Sequence, residues 1–153
     1  MISGIREIIE QNPPVSENEL LLFEEENCLR LPIDYRSFLL SSNGGRPIPS
    51  AFPIIGFPNN PFGNLQLFFG VNDPCSSTNL EDTFRMYVDQ IPYGILPIAC
   101  TDCDDFICLD MRLSPAAVKF WFRKPFWGNG VWREKFLYPV SEDFKTFLGS
   151  FQP

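Results

Sequence analysis

The chain has 153 residues, 44% hydrophobic, 15% aromatic and 20% charged, with 15 Pro and 10 Gly; this is globular composition, it excludes wholesale disorder, and it predicts short elements joined by ordered loops. Twelve basic against 19 acidic residues give a net charge of −7, the opposite sign to that expected of a duplex-DNA or anionic-membrane binder. There is no His, which removes Ser-His-Asp and Cys-His nucleophile pairs and every His-containing metal site.

Taken in chain order, Ile2, Ile5, Ile8 and Ile9 predict a short amphipathic helix over 2–11, ended by Asn12-Pro13-Pro14. Ser16-x-x-Glu19 is a capping box for a second helix, with Leu20, Phe23 and Leu21 inward and Glu24–Glu26 in water. A third helix starts at Pro32, carries Tyr35, Phe38 and Leu39 at i, i+3, i+4, and stops at Asn43-Gly44-Gly45. The Pro-rich run 47–61 is too broken for helix and holds one strand around Phe52–Gly56; Leu65–Phe69 is another. Thr78-x-x-Glu81 caps a helix whose apolar face is Leu80, Phe84, Tyr87, Val88 and Ile91. Ile95–Cys100 and Phe106–Met111 form a hairpin across the acidic turn 101–105. Strands follow at Ala117–Phe122 and Lys135–Tyr138. Ser141 then caps a last helix with Phe144, Phe147, Leu148 and Phe151 on one face. The order predicts one α+β domain with a mostly antiparallel or mixed sheet, packed by N-terminal, middle and C-terminal helices.

Acid is concentrated early: residues 1–30 hold seven acids and two bases. A basic protein partner fits this excess, and so does plain solubility. No apolar run approaches membrane-spanning length, and Met1–Glu7 lacks the apolar core of a signal peptide, so a cytoplasmic protein with reduced thiols is expected.

The segment Glu19–Pro47 places Leu31-Pro32, Tyr35, Phe38-Leu39 and Asn43-Gly44-Gly45 after an acidic helix. Farther on come Cys108-Leu109-Asp110 within Asp104–Asp110, then Phe120-Trp121, then Phe144–Leu148. In this order the motifs resemble the SUKH superfamily, in its cell-wall-assembly-regulator (Smi/Knr) branch, over about 17–151. Phe122-Arg123-Lys124-Pro125 departs from the acid that often follows "FW" there, and 47–78 has no counterpart. The motif residues are expected to be scaffold. For bacterial members the resemblance implies immunity proteins that bind and neutralise polymorphic toxins, often nucleases. For fungal members it implies a regulator of cell-wall glucan synthesis.

Asp102, Asp104, Asp105 and Asp110 put four acids and no base into 102–110. Calcium binding is weakened by the missing Gly and distant Glu of an EF-hand loop, and acid–base work by the missing nucleophile or phosphate cradle. A negative contact surface, or a plain solvated turn, fits better. Cys100-x-x-Cys103 with Cys108 invites zinc, but Cys28 and Cys75 make no second couple, which favours Cys as core filler. Lys119–Phe136 mixes bases with rings, as single-stranded nucleic-acid binders do; strand parity argues against it by placing Val118, Phe120 and Phe122 in the core, with Lys119 or Arg123 near Asp110. Trp127 and Trp132 flank Gly128-Asn129-Gly130, either as interface anchors or as buried core. The expectation is a non-catalytic binding module needing no metal or cofactor. Its partner is a protein, a basic toxin domain first and a regulatory target second, contacted through Asp102, Asp104, Asp105, Trp127 and Trp132. Monomer and homodimer both stay open.

Overall fold

Six antiparallel strands in the order β3-β4-β5-β6-β7-β8 form the main sheet of the computed structural model, which describes residues 4–58, 60–123 and 134–153. They are β3 (Ala51–Pro53), β4 (Phe62–Phe68), β5 (Ile95–Thr101), β6 (Phe106–Asp110), β7 (Ala117–Trp121) and β8 (Leu137–Ser141). A two-stranded ribbon pairs β1 (Glu7–Ile9) with β2 (Arg46–Ile48). The helices are α1 (Glu17–Glu26), α2 (Ile33–Ser41), α3 (Leu80–Tyr87) and α4 (Phe144–Gly149). The architecture is α+β with antiparallel pairing in both sheets.

The expected helix over 2–11 is instead strand β1. A helix so short is marginal in water. Gly4 and Glu10 bracket the segment at φ +95° and +58°, and the Arg6 N–H donates to the Ile48 carbonyl at 2.7 Å. Pairing with the Pro-rich segment thus takes the backbone groups a helix would have used. That segment accordingly holds two strands, β2 and β3, with Ile55 and Gly56 in a turn.

Ser16 and Glu19 make both bonds of the capping box on α1, burying Leu20 and Phe23. Leu21 is exposed, contrary to the reading that turned it inward. Pro32 is the N-cap of α2 rather than its first residue. Two further caps fall elsewhere than predicted. Asn79, one residue past Thr78, accepts the Asp82 N–H at α3. Asp143, two past Ser141, accepts the Thr146 N–H at α4. In each case a nearer Asx side chain does the capping. The face of α3 is also shorter: the helix ends at Tyr87, and Val88 is exposed.

Asn43 is buried and knits three segments. Its amide donates to Pro13 O (2.9 Å) and Val71 O (2.8 Å), and its oxygen accepts the Val71 N–H (2.8 Å). Gly44 follows at φ +76°, where a Cβ would lie 2.8 Å from Phe68 O. A side chain there would meet both backbone strain and a clash.

Both faces of the sheet are covered. On one, Phe68 meets Phe38 of α2 and Phe144 and Phe147 of α4. On the other, Tyr87 of α3 packs edge-on to Phe106 and Trp121. Strand parity therefore separates two cores rather than core from solvent, and Trp121 is buried along with Phe120. β5 and β6 read as near-continuous apolar runs for the same reason.

Candidate functional site

The β5–β6 connection is a braced turn. The Thr101 hydroxyl oxygen accepts the N–H groups of Cys103 (3.3 Å) and Asp105 (3.2 Å), and the Asp104 N–H donates to Thr101 O at 3.2 Å. Asp104 sits at φ +67°, a conformation Asp tolerates better than most residues. Asp105 is 3% exposed, and its carboxylate accepts the Arg123 N–H at 2.7 Å. This corrects the expectation that all three aspartates face a partner: Asp105 ties the turn to the residue following β7, while Asp102 and Asp104 are exposed. Neither Asp102 nor Asp104 joins an ion pair among the described residues.

Arg123 lies against the same turn. Its guanidinium stands 4.0 Å over the Phe106 ring, donates to Asp104 O at 3.0 Å, and bonds the Tyr87 hydroxyl. Asp110 does feel the Lys119 charge, as expected, but its hydrogen-bonded ion-pair partner is Arg112 rather than Lys119 or Arg123. Asp110, 2% exposed, receives Arg112 Nε at 2.8 Å and Nη2 at 3.0 Å. Arg112 also holds Glu134, at 2.9 and 3.0 Å. Burial pushes the Asp110 pKa up, but the Arg112 hydrogen bonds and charge outweigh it and hold the carboxyl below its ordinary 3.8.

Three grooves meet at the turn. One, of about 330 Å³, is walled by Phe57, Phe62, Phe120 and Phe122, with Asp102 and Asp105 at its edge. A second, of about 500 Å³, runs between β2 and β4 with Arg46, Pro49, Asn64 and Asp102. A third, of about 420 Å³, lies beside α3 with Glu10, Arg46, Thr83, Tyr87, Asp104 and Arg123. Phe57 and Phe62 escaped the sequence reading. Their one signal was two rings in a Pro-Asn-Gly loop that no strand or helix periodicity accounted for.

Among the described residues no group of three or more Cys, Asp or Glu could hold a metal ion. Cys28, Cys75 and Cys103 are exposed, Cys100 is half-buried and Cys108 is buried. Burial pushes the Cys100 thiol up to about 11 and raises Cys108 further, so neither is a thiolate at neutral pH. Trp127 and Trp132, with the rest of 124–133, lie outside the described residues. No described helix is long and apolar enough to cross a membrane.

The family model described as SMI1 / KNR4 family (SUKH-1) matches residues 14–150. Neither the curated proteins nor the solved structures give a match to the chain.

Proposed function

Because the chain belongs to the SMI1 / KNR4 family (SUKH-1), we propose that it is an immunity protein that neutralises a bacterial toxin domain by direct binding. Membership supports the coarser statement by itself: a protein-binding module of the immunity or regulator kind, from a family that is generally non-enzymatic. The observation that carries the finer reading is the turn at 101–105. It presents two exposed carboxylates, in no ion pair among the described residues, on a backbone fixed by Thr101 and Asp105, between three grooves, in a chain of net charge −7. A fixed negative projection speeds encounter with a basic domain and sets its orientation. Neutralisation is then by occlusion, which needs on the order of 1,200–2,000 Å² buried in total.

The test uses the purified chain and the C-terminal domain of a toxin encoded immediately upstream. The expected result is a stable complex on gel filtration and loss of the toxin domain's activity. Failure of both, with a folded toxin domain, ends the immunity reading. A regulatory adaptor is the second reading. The outer face of α1 favours it, where Leu21 and Leu22 are exposed beside Glu25 and Glu26. An adaptor joining two partners would use that face as well as the turn.

A further inference from the structure

The geometry points to the aromatic groove as a receptor for a single arginine side chain offered by the partner, an inference that rests on the protein-binding reading above. The groove holds about 330 Å³, at the small end of ligand sites at roughly 300–1,000 Å³, which suits one side chain rather than a helix. Its walls are pre-set. The Phe57 ring centroid lies 5.1 Å from those of Phe120, Phe122 and Tyr138, at interplanar angles of 65–71°. These edge-to-face contacts fix the ring without any ligand.

The charge around the three grooves separates them. Arg46 lines the second and third, and Arg123 the third, so each already contains a cation. The described lining of the aromatic groove carries Asp102 and Asp105 and no basic residue. Rings lining a groove beside the exposed Asp102 carboxylate, with the buried Asp105 charge behind it, attract a cation through the ring quadrupole and through Coulomb attraction together. Arginine is favoured over lysine because its guanidinium is planar, weakly hydrated, stacks on rings and can fork onto a carboxylate. The chain uses this chemistry on the other side of the same turn, where Arg123 stands over Phe106 and donates to the Asp104 carbonyl. The groove beside Asp102 is the outward counterpart, to be filled from another molecule.

The test is NMR titration of the full chain with acetyl-Gly-Arg-Gly-amide and with its citrulline counterpart, which keeps the shape and removes the charge. The arginine peptide is expected to bind at millimolar concentration and to shift the ring signals of Phe57 and Phe122 and the amides of 101–105. Citrulline should bind at least tenfold more weakly. Asp102→Asn, at an exposed position, should weaken the arginine peptide about three- to tenfold at low salt, and Phe57→Leu should weaken it while leaving amide shifts distant from the groove in place. Equal binding of the two peptides, shifts centred away from the groove, or no shift at all overturns the inference. A toxin domain captured by a chain that ignores the arginine peptide removes the groove's role alone; a chain that captures no toxin domain removes the immunity reading whatever the peptides do.

Discussion

Strand β6 carries a buried aspartate at its last residue and another just before its first, and the two ends treat negative charge differently. Asp110 is locked between two arms of Arg112, which Glu134 holds in turn, so charge there is neutralised on the spot. At the other end Asp105 accepts the Arg123 backbone N–H, while Asp102 and Asp104 project outside any salt bridge among the described residues. The first end has the form of a structural clamp. The second is the contact surface proposed above, because an exposed carboxylate on a rigid turn adds little to folding and much to encounter.

That contrast presupposes a sheet anchored independently of either end. Phe38 supplies the check: it is buried against Tyr35, Phe68 and Phe144. Phe38→Ala should cost about 3–5 kcal/mol in urea denaturation. A near-neutral result would mean that α2 does not anchor the sheet. Next in size is Asp110→Ala, which removes the buried acceptor of Arg112 Nε and Nη2, leaves the guanidinium to Glu134 alone, and should cost about 2–4 kcal/mol. Asp110 also sets a pH window. Its folded pKa is below 3.8, so its stabilisation is complete above the unfolded value and is lost as pH falls through the lower folded one. The stability gap between wild type and Asp110→Asn should hold from pH 7 to pH 5 and shrink below about pH 4. A gap that does not shrink in acid would show that the clamp is not ionic.

The clamp and the turn differ as well in how legible they were. The hairpin, its acidic turn and the last helix face followed from period and turn chemistry, and β5, β6, β7 and α4 lie close to where those predict, although Asp143 rather than Ser141 caps α4. The fate of each acid did not follow. Asp102, Asp104 and Asp105 look alike in a run, yet burial separates them, since Asp105 alone faces the Arg123 N–H across a fold-back of 18 residues. Strand parity found the Lys119 charge that acts on Asp110 but not its hydrogen-bonded partner, Arg112, two residues on. The helix expected at 2–11 failed for the opposite reason: its partner, β2, sits in a Pro-rich run with no periodicity to announce it. Pairings across distance, and grooves built from loop rings such as Phe57, are decided by tertiary context that a local window does not contain.

Asp105→Ala sharpens the comparison from the inside. It removes a buried acceptor and leaves the Arg123 N–H without this bond, at a cost of about 1–3 kcal/mol. The structural loss should therefore be smaller than at Asp110. If the turn is a contact surface braced from beneath, partner binding should weaken too, although Asp105 itself is not exposed. Calorimetry on the complex, beside thermal melting of the free chain, separates the two effects. Full binding by a destabilised chain would show that the turn's conformation is irrelevant to the partner.

The smallest structural effect and the most direct functional one belong to Asp102 and Asp104. Asp102→Lys should change stability by less than about 0.5 kcal/mol, as expected for an exposed side chain outside any ion pair among the described residues, and Asp104→Lys by up to about 1 kcal/mol, because Lys tolerates the φ of +67° at Asp104 less well than Asp does. Association with a basic toxin domain should slow several-fold at low ionic strength. The difference should narrow as salt rises, because the Debye length falls from about 10 Å at 0.1 M to about 3 Å at 1 M. Stopped-flow rates at several salt concentrations measure this directly. The salt dependence decides the matter: a steering charge loses its effect under screening, whereas lost shape complementarity slows binding equally at every salt concentration. Unchanged association would move the interface off this turn, leaving the acidic face of α1 as the surface to probe next.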